Sequence, residues 1–244
     1  MTIGGISVIR NEQDWVYYSL KSIQDYVDNF IVIENGSTDR TVPEILRAGI
    51  TPLYRDGSVA ELRNEAASLT GCDWTWWIDG DEVWCNEDAE RVVKYIKMYD
   101  DNPDVSILDF SLIRFVGDRF HWDGETSYRM PRVYRNSDVR MYGKSFPHCC
   151  DALARCEDDL DIVKGPYTTE AKVDKPYIMG VDCTFHHYAE CGSYLHRKAK
   201  WYNYIKSSCP DNSASWIMQK LDGVKWGVDS KKVPWHGAQP EVFV

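Results

Sequence analysis

The sequence predicts an α/β fold, a central and mostly parallel sheet flanked by helices. Three observations carry this. Strand-like and helix-like stretches alternate through the first hundred residues. The strand-like stretches are short apolar runs closed by turn residues, as expected of strands buried on both faces. Polar clusters follow three of those runs, at the end where open α/β sheets bind ligands. A repeated β-α-β-α order implies a parallel sheet covered by helices on both sides.

The elements follow in order. GISVIR is a short first strand. Val16, Leu20, Ile23 and Val27 recur at helical spacing between Asp14 and Phe30, which gives one apolar face. FIVIE, residues 30–34, is the second strand. A helix follows from about Thr41, with Pro43 tolerated in its first turn, and stops near Gly49. ITPLY is the third strand. Ser58 and Glu61 form an S-x-x-E capping box, so a helix is expected from Ser58 to Leu69. WTWWI is the fourth strand, and Ala89, Val92, Val93, Ile96 and Tyr99 mark another amphipathic helix.

The remainder is different. VSILDFSLIRF and YRMPRVYR within residues 105–145 read as strands, and so does IMGVDCTFHHY at 178–188. A helix is expected from about Ser193 to Ile205. The tail from Ser207 is rich in Trp, Pro and Gly and carries no assignable pattern. No internal repeat or low-complexity linker is visible. The expected organisation is one domain over 1–206, with halves at 1–100 and 101–206, and a C-terminal extension over 207–244.

Composition narrows the function. The 244 residues suffice to bury a real core. A hydrophobic fraction of 43% and a charged fraction of 27% are those of an ordinary globular chain. A net charge of −10 argues against a nucleic-acid binder. No apolar stretch approaches the roughly 18 residues that a membrane span needs. MTIGGISVIRNE lacks the basic start and apolar block of a secretion signal, so a cytoplasmic protein is expected. The eight cysteines form no CxxC pair, which disfavours a zinc knuckle, and free thiols are expected. His186, His187 and Cys191 remain a conceivable soft-metal group.

The chemistry-bearing residues gather at strand ends. Arg10–Asn11–Glu12 follows the first strand, Glu34–Asn35–Gly36–Ser37 the second, and Asp79–Gly80–Asp81–Glu82 the fourth. All three should converge on one crevice. In extended backbone, Asp79 and Asp81 would point the same way, and Gly80 would allow close approach. Two close carboxylates repel unless a cation lies between them. Mn²⁺ or Mg²⁺ fits, its shell completed by water and substrate phosphate. Ligand spacing excludes an EF-hand loop. For Ser37–Thr38–Asp39, helix capping is the preferred reading.

ISVIRNE, VIENGSTDRT, RNEAA and WWIDGDE, in that order, resemble the successive motifs of family 2 glycosyltransferases with the GT-A fold, a Rossmann-like sandwich. The resemblance covers roughly residues 3–85 and departs from the usual pattern at Glu34, where Asp is common. It implies that residues 1–100 form a nucleotide-sugar-binding half and 101–206 an acceptor and catalytic half. Arg10 would line the donor crevice. Glu34 would accept from base or ribose, Arg63 would meet base or phosphate, Asp79 would lie near ribose and metal, and Asp81 would ligate the metal. An ion pair of Arg63 with Glu65 or another neighbour is the equal alternative.

The second half is similar more loosely. YRMPRVYRNSDVRMYGKSFPH resembles a segment that leads to a catalytic V-H-E-like motif. His148 would be its histidine, but Cys149 stands where the Glu is expected. Candidate bases are Asp151, Glu125 and Asp123, in that order. A late histidine would complete the metal shell, either His187 or His186, since alternation puts only one on the cleft side. Arg197, Lys198 and Lys200 would face phosphate, or form a solvated helix face. Trp122 is the best acceptor-stacking candidate among ten tryptophans, most of which should be packing residues.

The leading expectation is a metal-dependent, inverting transferase. It would move sugar from a nucleotide-diphosphate donor, UDP-linked by preference, to a glycan, lipid or protein hydroxyl. A non-catalytic nucleotide-sugar or carbohydrate-binding module is the alternative, motivated by Cys149. A nucleotidyltransferase ranks last, because IRNEQD lacks the Gly-rich loop it would need.

Overall fold

The structure is a computed structural model, which describes residues 1–124, 129–142, 152–155, 178–191, 233–237 and 239–243. The first strand, β1, spans Ile3–Ile9, and the first helix, α1, spans Val16–Ile23. The helix is shorter than its apolar spacing predicts. It tightens into a 3-10 turn at Gln24–Tyr26, and β2 begins at Asn29 and runs to Glu34. Then come α2 (Thr41–Arg47), β3 (Leu53–Tyr54), α3 (Val59–Thr70) and β4 (Trp74–Trp77). The Ser58–Glu61 capping box is formed in full, and Gly71 closes α3 in the left-handed conformation at φ 65°.

A strand of three residues, β5 (Glu82–Trp84), follows directly and was not foreseen from the sequence. Helix α4 spans Asn86–Tyr99 and buries Ala89, Val92 and Ile96. The second half supplies β6 (Ile107–Gly117), β7 (His121–Trp122), β8 (Arg129–Arg135), β9 (Val139–Tyr142), β10 (Ala152–Arg155), β11 (Ile178–Cys191) and β12 (Val233–Pro234). The helix expected over 193–205 lies outside the described residues.

Strand order explains how the site is placed. β3, β2, β1 and β4 lie side by side and parallel, so their carboxyl ends share one edge. β8 then inserts antiparallel between β4 and β6. β11 runs parallel to β6 and antiparallel to β5. The sheet therefore crosses residue 100 without a break. β9 and β10 form a separate two-stranded ribbon.

The core lies on both sheet faces. Trp74, Trp76 and Trp84 are wholly buried with Phe110 and Phe185, packed against α4. Trp77 belongs to the opposite face, under α3, with Ile6, Ile33 and Ala66. A third cluster joins Phe115, Tyr188 and Val83 to Trp15, Trp235 and Phe243. The described part of the tail is thus packed on the sheet: β12 pairs with β7, and Glu241 Oε2 accepts from Asn86 N at 3.0 Å, at the start of α4. Among the described residues, no helix is long and apolar enough to cross a membrane.

Candidate functional site

The three polar clusters do converge. Asn11, which adopts φ 57°, donates from its backbone N to Ser37 Oγ at 3.0 Å and accepts at Oδ1 from Thr38 N at 2.8 Å. Glu12 N donates to Thr41 Oγ1 at 2.7 Å. The loop after β1 is thereby tied to the loop after β2. Glu12 also lies against Gly80: a Cβ at Gly80 would sit 2.7 Å from Glu12 Cγ. Asp39 accepts from Thr41 N at 2.9 Å, so part of Ser37–Thr38–Asp39 does close the first turn of α2. Its other two members brace Asn11.

The acidic tip is a turn, which corrects the extended conformation expected from the sequence. Glu82 N donates to Asp79 O at 3.1 Å, with Gly80 and Asp81 between them. The turn is also held from outside. Ser19 Oγ on α1 donates to Asp79 O at 2.8 Å, and Tyr188 N on β11 donates to Asp81 O at 2.8 Å. Tyr188 itself is stacked on Trp15 at 4.5 Å. The two aspartates consequently face different partners.

Asp79 is held by arginines. Arg63 on α3 donates to its Oδ1, and Arg132 Nη2 on β8 lies 3.4 Å from its Oδ2. Both guanidiniums lie over the Trp77 ring, at 4.5 and 4.4 Å from its centroid. A cation over an indole face is favoured by the ring's negative π-face. Arg63 is therefore a buried side chain joined to Asp79, not a surface partner of Glu65, which pairs instead with Arg55 at 2.7 Å.

Arg132 was not singled out by the sequence, and Glu82 entered only as a member of the acidic cluster after the fourth strand. Glu82 is fully buried and receives both Nε (2.7 Å) and Nη2 of Arg132. Burial pushes the Glu82 carboxyl above its ordinary range, while the Arg132 charge pulls it back. Burial alone would lower the Arg132 guanidinium, but Glu82, Asp79 and Asp81 hold it above its ordinary value. The two side chains meet as a two-point fork. A run of Arg between apolar residues in RMPRVYR was the available signal, but its partner lies 50 residues earlier.

Asp81 has His187 beside it, Nε2 to Oδ1 at 3.8 Å. Two donors at about 2.1 Å from one small divalent cation stand about 3.0 to 4.2 Å apart, so this pair fits a shared Mn²⁺ or Mg²⁺. Among the described residues no third His, Cys, Asp or Glu joins them. That suits a cation that keeps several water or phosphate ligands. His186 faces the other way. It is packed among Phe115, Tyr188 and Trp235, and burial pushes its imidazole down to about 4, so it is neutral at pH 7. Cys191 donates from Sγ to Asp118 O, and no His186–His187–Cys191 group assembles.

The other candidates are placed as follows. Arg10 is exposed at the end of β1. Glu34 is buried and accepts from Ser37 N, closing its own turn. Asp123 is engaged by Arg114, Nε to Oδ2 at 2.7 Å. Trp122 is half-buried and meets Trp235 edge-on at 5.6 Å. Glu125, His148, Asp151, Arg197, Lys198 and Lys200 lie outside the described residues. Among the described cysteines, Cys72, Cys85 and Cys183 are free thiols.

A mixed α/β sheet, parallel over β3, β2, β1 and β4, with an acidic turn at the carboxyl edge, has the architecture in which ligands bind along that edge. The family model described as Glycosyl transferase family 2 matches residues 6–162, more than half of the chain, and the chain belongs to that family. A TPR repeat-containing protein of Synechococcus elongatus is 34% identical over 138 residues, 55% of this chain and 32% of its own length. This chain thus spans about a third of that relative. Glucosyl-3-phosphoglycerate synthase of Mycobacterium tuberculosis, solved with Mn²⁺ and UDP-glucose, is 20% identical with a TM-score of 0.39. The match covers 46% of this chain and 43% of that one. The same enzyme solved with Mg²⁺ and UDP aligns equally, at 20% identity and a TM-score of 0.39 over the same shares.

Proposed function

We propose that this chain is a metal-dependent glycosyltransferase module. It transfers sugar from a nucleotide-diphosphate donor, UDP-linked by preference, to a hydroxyl of a glycan, lipid or protein, with inversion. The observation that carries the reading is the Asp81–His187 pair at the carboxyl edge of the sheet, in a member of this family. Asp81 and His187 would hold the cation, which would neutralise charge developing on the departing diphosphate. Asp79, fixed by Arg63 and Arg132, would take the ribose. Glu34 and Arg10 would line the base side. The proton acceptor is assigned, from the sequence, to Asp151 or Glu125, with His148 as a further catalytic candidate.

The test is thermal unfolding with UDP, GDP, dTDP and CDP, each with Mn²⁺ and with chelator. Ligands that bind only the native state raise the midpoint by mass action. A rise with one nucleotide that needs metal and is lost in Asp81→Ala supports the reading. No rise with any of the four overturns it.

A second reading has one specific support: Asp123, the described base candidate, is already engaged by Arg114. A binding module without chemistry would show the same metal-dependent rise. It would release no free sugar from the donor on long incubation, whereas a transferase slowly hydrolyses its donor in place of an acceptor.

A further inference from the structure

The acidic turn continues sideways as a row of charged residues. Glu82 on β5 lies in register with His187 on β11, and His187 lies in register with Arg114 on β6. Paired positions on neighbouring strands project from the same sheet face. Arg114 therefore stands on the His187 face, on the opposite side of that histidine from Glu82.

Its environment is built. Nε and Nη2 of Arg114 both meet Asp123 Oδ2 at 2.7 Å. Asp123 N donates back to Arg114 O at 3.1 Å. The carboxylate is the buried end of the pair, 7% exposed, and the guanidinium is the open end, 35% exposed. Such a pair aims a cation at the surface and leaves it little rotational freedom to lose when a ligand arrives.

We propose that Arg114, oriented by Asp123, is a diphosphate-binding residue for the nucleotide-sugar donor. The assignment rests on the glycosyltransferase reading and deepens it. Charge is the physical reason. Asp79, Asp81 and Glu82 put three carboxylates within four residues, and Arg63 and Arg132 are both committed to them. With both arginines committed, the turn offers a diphosphate only the cation proposed on Asp81 and His187, from one side. A guanidinium on the far side of His187 gives the diphosphate a positive wall opposite the acidic one, and its fork matches phosphate oxygens. Asp123 then has an orienting role in place of the proton-accepting one expected from the sequence.

The experiment compares nucleoside di- and monophosphate affinity by calorimetry in Mn²⁺. The probes are UDP and UMP, or the matching GDP, dTDP or CDP pair if the unfolding screen selects it. The variants are R114K and the double variant R114Q/D123N, which removes both charges together and leaves no buried carboxylate without its partner. The double variant should bind the diphosphate about tenfold more weakly while the monophosphate changes far less, so that the preference between them collapses. R114K should lie between. A fold defect alone would weaken both ligands together. Equal weakening, or an unchanged diphosphate affinity, overturns the role of Arg114 and leaves the glycosyltransferase reading standing. A wild-type chain that binds none of the four diphosphates overturns both.

Discussion

Arg132 and Glu82 meet inside the protein through two parallel hydrogen bonds, Nε to Oε2 at 2.7 Å and Nη2 to Oε1, with both side chains at or below 2% exposure. Breaking one side of a buried pair leaves an uncompensated charge, which costs about 3–5 kcal/mol. Arg132→Met should therefore lower the urea midpoint steeply. Replacing both, R132M/E82L, should recover much of that stability. The double variant should still lose metal-dependent nucleotide binding, because Asp79 would lose its second cation.

Gly80 is required for space. Its added Cβ would press on Cβ and Cγ of Glu12, atoms near the backbone that cannot swing aside. Gly80→Ala should cost about 1–3 kcal/mol, the usual range for overpacking. It should also weaken nucleotide binding, since the turn that carries Asp79 and Asp81 must shift. Gly36, where a Cβ meets nothing within 4 Å, is a poor control because its φ of 77° strains any other residue.

The two adjacent histidines should behave oppositely. His187→Gln should abolish the Mn²⁺-dependent part of the thermal shift. His186→Phe should retain it. The latter loses only the long contact from the Tyr188 hydroxyl to His186 Nδ1, 3.4 Å, and should cost about 1 kcal/mol. Midpoints with and without metal read both outcomes.

Burial pushes the Cys85 and Cys183 thiols up to about 12 from an ordinary 9.0. Iodoacetamide at pH 8 should label Cys72 in the native protein and spare these two, as peptide mass mapping would show. The sign of the pH effect follows. The folded thiols keep their protons where the unfolded ones lose them, so the stability they contribute is complete below about pH 9 and is lost as pH rises towards 12.

Much of the fold was written in local pattern. The first four strands, the Ser58 cap and the face of α4 each rest on spacing that short-range physics reads directly. The length of α1 was overread because Val27 continues the helical spacing, although it lies past the 3-10 turn that ends the helix. β5 escaped because Glu82–Val83–Trp84 is three residues long and begins with a carboxylate. It is a strand only because β11 arrives beside it a hundred residues later. The same limit governed the site. The strand-end rule located Asp79 and Asp81, but nothing in RMPRVYR tells that Arg132 turns inward to Glu82. That partnership depends on β8 entering next to β4. Which histidine faces Asp81 was likewise a matter of register, and alternation could say only that it was one of the pair.

The position of β8 has a consequence for how the chain is made. β4 hydrogen-bonds to β1 on one side and to β8 on the other, whose paired residues lie 57 to 61 positions downstream. As the polypeptide leaves the ribosome, the β1–α4 portion is finished while one flank of its Trp74–Trp77 strand still waits for a mate. An unmated strand of that composition is a template for association between chains. Expression trials that cut this protein near residue 100 should therefore yield aggregates, and cuts placed after β8 should fare better.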